Sequence, residues 1–276
     1  MTAVAIQGEA GSFSHAAALE ALGPDVRLVP CPTFEDLFRA VEADAADRGV
    51  VPIENSLAGS VYEAYDALGA HALHVVGETQ VRVRHCLVGR PGTTVAQVRR
   101  VASHPVALAQ CRRFFADHPA VTPVPAYDTA GSVRDLMAGR LAAEGAIGSS
   151  LAADLYGAAV LLEGLEDHPE NYTRFLIVAR EPAPAGGGGA SKASLMFTLP
   201  DVPGSLHQAL GVFAERRVNL SKIESRPLPG RPWEYAFYLD VVGDPGSGLA
   251  EALAELGGLA PGLRVLGAYP ARALPS

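Results

Sequence analysis

The chain has 276 residues, 49% of them hydrophobic, and a formal net charge of −8. This is room for one large or two ordinary domains with buried cores, and a net negative chain without a basic run is not built to neutralise nucleic-acid phosphates. No apolar run approaches the roughly 20 residues of a transmembrane helix, the start at Met1 lacks the charged and apolar regions of a signal peptide, and Cys31, Cys86 and Cys111 form no Cys-x-x-Cys, which points to free thiols in a reducing cytoplasm rather than disulfides or zinc.

Val4–Gln7 reads as a strand that ends at Gly8, followed by a turn with Gly11, Ser12 and Ser14 and a helix over Ala16–Leu22. The same grammar recurs. Gly49–Ile53 leads into Glu54, Asn55 and Ser56. Arg100–Ala102 leads into Ser103, His104 and Pro105 and a helix over Val106–Phe115. Tyr127 leads into Asp128 and Thr129 and a helix over Ala130–Leu141. Ala146–Gly148 leads into Ser149 and Ser150 and a helix over Leu151–Tyr156, after which Gly157–Gly164 returns the chain across the domain. Strands alternating with helices predict an α/β domain with a mostly parallel sheet. Ser, Thr and Asp suit the N-cap positions, and Pro105 fits a first helical turn. In such sheets ligands bind beyond the carboxyl ends of the strands, where the helix N-termini present unpaired N–H groups. Each of these turns is also an ordinary cap; only their number along one edge suggests a site.

Other motifs carry less. His71 and His74 have no further ligand pair, so no metal is expected. Gly8 and Gly11 lack the remainder of a P-loop or a Rossmann fingerprint. No Gly-x-Ser-x-Gly elbow is present.

A Pro/Gly-rich linker over Glu181–Lys192 then divides the chain, because prolines and four consecutive glycines do not sustain a packed element. Beyond it, strands at Ser194–Leu199, Val218–Ser225, Glu234–Val242 and Leu263–Gly267 alternate with helices around Leu206–Phe213 and Leu249–Leu256. The order is βαββαβ, a ferredoxin-like arrangement. The expected boundaries are 1–180 for the first domain, 181–192 for the linker and 193–270 for the second.

Five segments of the first domain, in order, resemble prephenate dehydratase: Gly8–Ser14, Pro52–Ser56, Ser103–Cys111, Asp128–Ala130 and Asn171–Phe175. The resemblance implies a two-lobed catalytic domain like type 2 periplasmic binding proteins, and a monofunctional enzyme, since no chorismate mutase segment precedes Val4. It implies decarboxylative dehydration of prephenate to phenylpyruvate, with no cofactor. Thr173 is then the group that donates to the leaving oxygen. Glu54 is a second proton source if burial raises its pKa. Arg174 is placed to pair with a carboxylate, and Ser12, Asn55, Ser56, Ser103, Gln110 and Thr129 to bind substrate. Read without the resemblance, Thr173 is a β-branched strand residue and Glu54 a salt-bridged or capping carboxylate. Many relatives have Gln where Val106 stands; a surface helix position is expected there.

The second domain, with Gly204–Leu210 and Lys222–Pro227, resembles the ACT regulatory domain of the same enzymes. This implies feedback by phenylalanine bound between paired ACT domains of a dimer or tetramer. The contacts are expected from Gly204, Ser205, Leu206, Asn219, Leu220, Glu224 and Ser225. A plain dimerisation module is the alternative for this domain. For the whole chain the rivals are arogenate dehydratase and a non-catalytic amino-acid sensor. No nucleic-acid or membrane partner is expected.

Overall fold

A computed structural model describes residues 1–184, 191–243 and 248–272. The glycine run at the centre of the expected linker falls in 185–190, outside the described residues.

The elements in chain order are β1 (Thr2–Gln7), α1 (Phe13–Leu22), β2 (Val26–Cys31), α2 (Phe34–Glu42), β3 (Arg48–Asn55), β4 (Gly59–Ser60), α3 (Tyr62–Ala70), β5 (His74–Arg82), β6 (Cys86–Gly89), β7 (Arg100–Ser103), α4 (Pro105–Ala109), α5 (Arg112–Asp117), β8 (Thr122–Pro125), α6 (Thr129–Met137), β9 (Gly145–Gly148), α7 (Ser150–Tyr156), β10 (Ala159–Glu163), β11 (Tyr172–Ala179), β12 (Ser191–Thr198), α8 (Ser205–Glu215), β13 (Asn219–Pro227), β14 (Tyr235–Gly243), α9 (Leu249–Leu259) and β15 (Arg264–Pro270).

The chain divides into two compact units, Met1–Val61 with Thr79–Phe175, and Tyr62–Glu78 with Leu176–Ser276, so the division runs through β5 and β11. The first unit is two-lobed. One sheet has the order β2-β1-β3-β11-β5 and the other β10-β6-β9-β7-β8. Read outward from its second strand, each sheet follows one rule: second, first, third, a strand arriving from the other lobe, then fourth. This is the repeated lobe that the binding-protein-like expectation requires. The second of these sheets is mixed rather than mostly parallel. β1/β2, β1/β3, β7/β8 and β7/β9 are parallel, while β6/β9 and β10/β6 are antiparallel, because β6, arriving from the other lobe, enters the second sheet from the opposite side.

Side-chain caps start the helices as anticipated. Ser12 accepts from His15 N, Asp128 from Gly131 N and Ser149 from Ala152 N. Pro105 stands in the first turn of α4, but His104, not Ser103, is its cap. The helix expected over Val106–Phe115 is two helices. Cys111 leaves helical geometry, and the Asp167 carboxylate accepts from Arg112 N (3.2 Å) and Arg113 N (2.9 Å), starting α5 afresh. A carboxylate 55 residues away makes that break, so local periodicity could not reveal it. α6 stops at Met137 rather than Leu141, where Gly139 takes φ +71°. The Gly157–Gly164 return is itself a strand, β10.

In the second unit β12, β13, β14 and β15 form an antiparallel sheet of order β13-β14-β12-β15. One face carries α8 and α9 over a core of Leu195, Phe197, Val212, Phe213, Leu239 and Leu256. This is the expected βαββαβ arrangement. β12 starts at Ser191, so Lys192 belongs to the strand and not to the linker. It pairs with Val242 and Tyr269, and its ammonium donates to the buried Glu78 (2.9 Å). The other face meets α3 and the first half of β5. Tyr238 donates to Tyr65 O (2.9 Å), Arg264 donates to Gly69 O and His71 O, and Gly267 lies so close to Val75 O that no Cβ fits there.

Candidate active site

Two segments join the lobes of the first unit: residues 83–85, between β5 and β6, and 164–171, between β10 and β11. They are bonded to each other. Val83 N donates to Asn171 O (2.7 Å), His85 N to the Glu166 carboxylate (2.8 Å) and Leu165 N to His85 O (3.0 Å).

Above them lies a ring of amides. Asn55 Nδ2, at the end of β3, donates to Asn171 Oδ1 (2.8 Å). Asn171 Nδ2 donates to Gln110 Oε1 (3.1 Å), and Gln110 Nε2 approaches Asn55 Oδ1 (3.4 Å). The ring has a direction, because Asn55 Oδ1 also accepts from Leu57 N (3.0 Å) and Ala58 N (2.8 Å), which only donate. Asn55 Nδ2 donates as well to Thr173 Oγ1 (2.9 Å) and Tyr172 O (3.1 Å). Thr173 therefore receives a hydrogen bond on a lone pair, and its own O–H has no acceptor among the described residues. His85, 2% exposed, meets Gln110 Oε1 through Nε2 (2.9 Å) and packs edge-on against Phe13. Burial pushes its pKa down, while the Gln110 bond and the Glu166 charge push it up.

A cavity of about 370 Å³ adjoins this ring. Leu57, Ala58, Val106 and Ala109 give it apolar walls; Gln110, Arg112, Asp167 and His168 give it polar ones. Val106 is exposed on α4, as a surface helix position would be, and it also lines this cavity. The helix break between α4 and α5 turns Gln110 inward beside it.

The remaining residues singled out from sequence divide sharply. Successive strand side chains leave on opposite faces, so Glu54 departs opposite Asn55 and Arg174 opposite Thr173. Neither joins the amide ring. Ser103 is fully buried and gives its proton to Ile147 O (2.7 Å), stitching β7 to β9. Ser56 donates to Glu170 O and accepts from Tyr172 N, stitching the β3 turn to β11. Ser12 and Thr129 sit at the starts of α1 and α6, and neither lines the cavity beside Gln110. Asn171 of the ring, and His85 bonded to it through Gln110, are the residues here that sequence reasoning did not assign. Asn171 opens a segment already singled out, whereas nothing local marks His85.

The glycine turn before α1 bridges the lobes. Ser149 donates to Gly11 O (2.5 Å), Tyr156 to Ala10 O (2.9 Å), and Arg134 and Tyr127 both reach Glu9. A Cβ at Gly11 would stand 2.7 Å from Ala152 Cα. Burial, followed by the bond to Glu9, pushes the Tyr127 phenol up to about 12.

In the second unit Gly204 takes φ +89° before α8, with open space where a Cβ would point. Strain, not crowding, would oppose a substitution there. β-Register separates the expected effector contacts. Ser225 lies opposite Phe237, beside Phe197 near the Gly204 end of the sheet. Asn219 lies opposite Val242, beside Lys192 at the other end. Glu224 pairs with Lys222 (3.5 Å). A single domain does not bring Gly204, Ser205 and Leu206 together with Asn219 and Leu220.

The sequence profile of prephenate dehydratase matches residues 4–183, and that of the ACT domain matches residues 193–257. Arogenate dehydratase/prephenate dehydratase 2, chloroplastic, of Arabidopsis thaliana is 42% identical over 277 residues, covering 97% of this chain and 72% of that protein. A solved structure of prephenate dehydratase in complex with L-Phe from Arthrobacter aurescens is similar with TM-score 0.90 and 36% identity, covering 98% of this chain and 90% of that one. A structure described as a quorum quenching acylase, GqqA, is similar with TM-score 0.89 and 38% identity, covering 98% of both chains.

Proposed function

The chain belongs to the prephenate dehydratase family and carries an ACT domain, and from that premise we propose that it converts prephenate to phenylpyruvate, water and carbon dioxide, with phenylalanine acting back through the ACT domain. The observation that carries this reading is the Thr173 hydroxyl, which accepts from Asn55 and whose own proton meets no acceptor among the described residues.

In the reaction the ring C–C bond to the carboxylate breaks and its electron pair enters the ring. The C–O bond breaks on the far side, and the departing hydroxide takes one proton, supplied from solvent, to leave as water. Aromatisation drives the step. Thr173 donates a hydrogen bond to the departing oxygen, and its position against Asn55 holds it ready before the bond breaks. The second N–H of Gln110, with no acceptor among the described residues, suits an anionic oxygen in the adjoining cavity. Asp167 faces that cavity with both oxygens engaged by Arg112 N and Arg113 N and with two guanidiniums nearby. It is poorly free to hold an ammonium, which supports prephenate over its amino analogue arogenate. An acylase reading finds no support at Thr173: its partner is a donating amide, not a base that could make the hydroxyl a nucleophile.

For regulation, Arg226 of the Glu224–Pro227 segment forks onto Asp66 of α3 (2.9 and 2.7 Å) and lies over the Tyr62 ring. α3 follows directly on the turn that Asn55 holds. This gives the effector region a physical grip on the chain leading to the site. Because Gly204 and Asn219 lie at opposite ends of one sheet, the effector site forms between paired copies of the domain, in a dimer or tetramer. Three buried, unpaired cysteines fit a reducing, cytoplasmic setting.

The test is turnover of prephenate and of arogenate side by side, with and without phenylalanine, alongside sedimentation of the protein. Phenylpyruvate from prephenate, suppressed by phenylalanine, is the expected result. Product from arogenate alone would reassign the substrate, and product from neither would overturn the reading.

A further inference from the structure

We propose that His85 is a positioning residue for the dehydration: from the segment that joins the lobes, its neutral imidazole fixes which way the Gln110 amide faces, so that Gln110 presents an N–H to the substrate; this rests on the reading above.

The Gln110 oxygen has two lone pairs, and both are taken, one by His85 Nε2 (2.9 Å) and one by Asn171 Nδ2 (3.1 Å). With the oxygen held inside the protein by two donors, the NH2 group must face out. One hydrogen is directed to Asn55 and the other to the cavity that Gln110 lines. A flipped amide would show a carbonyl oxygen to an anionic substrate and repel it. The Leu57 and Ala58 N–H groups, which only donate, set the ring at Asn55, and His85 Nε2, in the tautomer that carries its proton there, holds the same direction at Gln110.

The tautomer follows. Since Nε2 must carry the proton for Gln110, Nδ1 is bare, and Nδ1 of His85 is a buried side-chain polar atom with no hydrogen-bond partner among the described residues. An unsatisfied buried acceptor is unfavourable. Leucine would fill such a site without that cost. What leucine lacks is the donor. Glutamine carries an N–H at a reach similar to Nε2 and could replace it.

Two experiments on the full chain test this. In the first, histidine-selective 15N labelling, with the His85 signals assigned by their loss in His85→Gln, reads the tautomer. The expected signature is a protonated Nε2 and a bare, pyridine-like Nδ1; the opposite tautomer overturns the proposal whether or not any substrate has been found. In the second, His85→Leu should fold with unchanged or higher thermal stability while KM for prephenate rises about tenfold, the loss of one hydrogen bond to a charged group, and kcat changes less. His85→Gln should restore KM. If leucine and glutamine behave alike, or if KM worsens only in step with lost stability, His85 is structural and the proposal fails. An unaltered chain that turns over neither prephenate nor arogenate would instead remove the functional reading, leaving the tautomer measurement to stand alone.

Discussion

Replacing Thr173 by valine tests the catalytic assignment with least disturbance, because valine keeps the shape and the methyl group and removes only the hydroxyl. The consequences for stability can be read from the bonds at Asn55. Its Nδ2 loses Thr173 Oγ1 but keeps Asn171 Oδ1 at 2.8 Å and Tyr172 O at 3.1 Å, so no buried donor is stranded and the cost should stay near 1 kcal/mol or less. Turnover should respond differently. A hydroxyl that assists the departing oxygen acts in the transition state, so kcat should fall about 10²- to 10⁴-fold, equivalent to roughly 3–5 kcal/mol of barrier, with KM nearly unchanged. Steady-state formation of phenylpyruvate and urea denaturation of the same preparation separate the two effects. Thr173→Ser should recover part of the rate. A valine variant with near-normal kcat would refute the role given to this hydroxyl, and one that loses rate and stability together would show that Thr173 mainly holds the turn.

Asn55→Ala removes the acceptor of Leu57 N and Ala58 N and the donor to Asn171, so it should cost about 1–3 kcal/mol in denaturant titration and lose activity beyond what unfolding explains. Gly11→Ala sets a methyl against the backbone of Ala152 at φ +88°; overpacking and left-handed strain together predict about 2–4 kcal/mol of destabilisation, and an alanine variant as stable as the parent would show that the bridging turn moves freely. Asp66→Asn removes the charge gripped by Arg226 and should weaken phenylalanine inhibition about fivefold, a coupling near 1 kcal/mol, with uninhibited turnover kept. Unchanged inhibition would remove α3 from the route.

How much of the site was legible depends on how far along the chain each interaction reaches. Ser12, Asp128 and Ser149 cap their helices by accepting from the N–H three residues ahead, so residue type and spacing were enough to read those turns. Pro105 and the βαββαβ alternation of the second domain were legible for the same reason: backbone sterics and the periodicity of apolar residues act over a few positions. The segment Asn171–Phe175 could be seen to matter, but not which of its members meet. Strand alternation, known only once β11 is seen, puts Thr173 with Asn55 and sends Arg174 to the other face.

The sequence alone thus determined the order of elements, the two kinds of domain and the short segments around the site, because all of these follow from local backbone chemistry. Only the tertiary structure decided the direction of the amide ring, the break that turns Gln110 inward and the place of His85. The ring joins Asn55, Gln110 and Asn171 across separations of 55, 61 and 116 residues, and a carboxylate 55 residues away caps α5. The orientation of an amide is set by whichever donors and acceptors surround it in space, and no local pattern records which distant groups the fold will bring there.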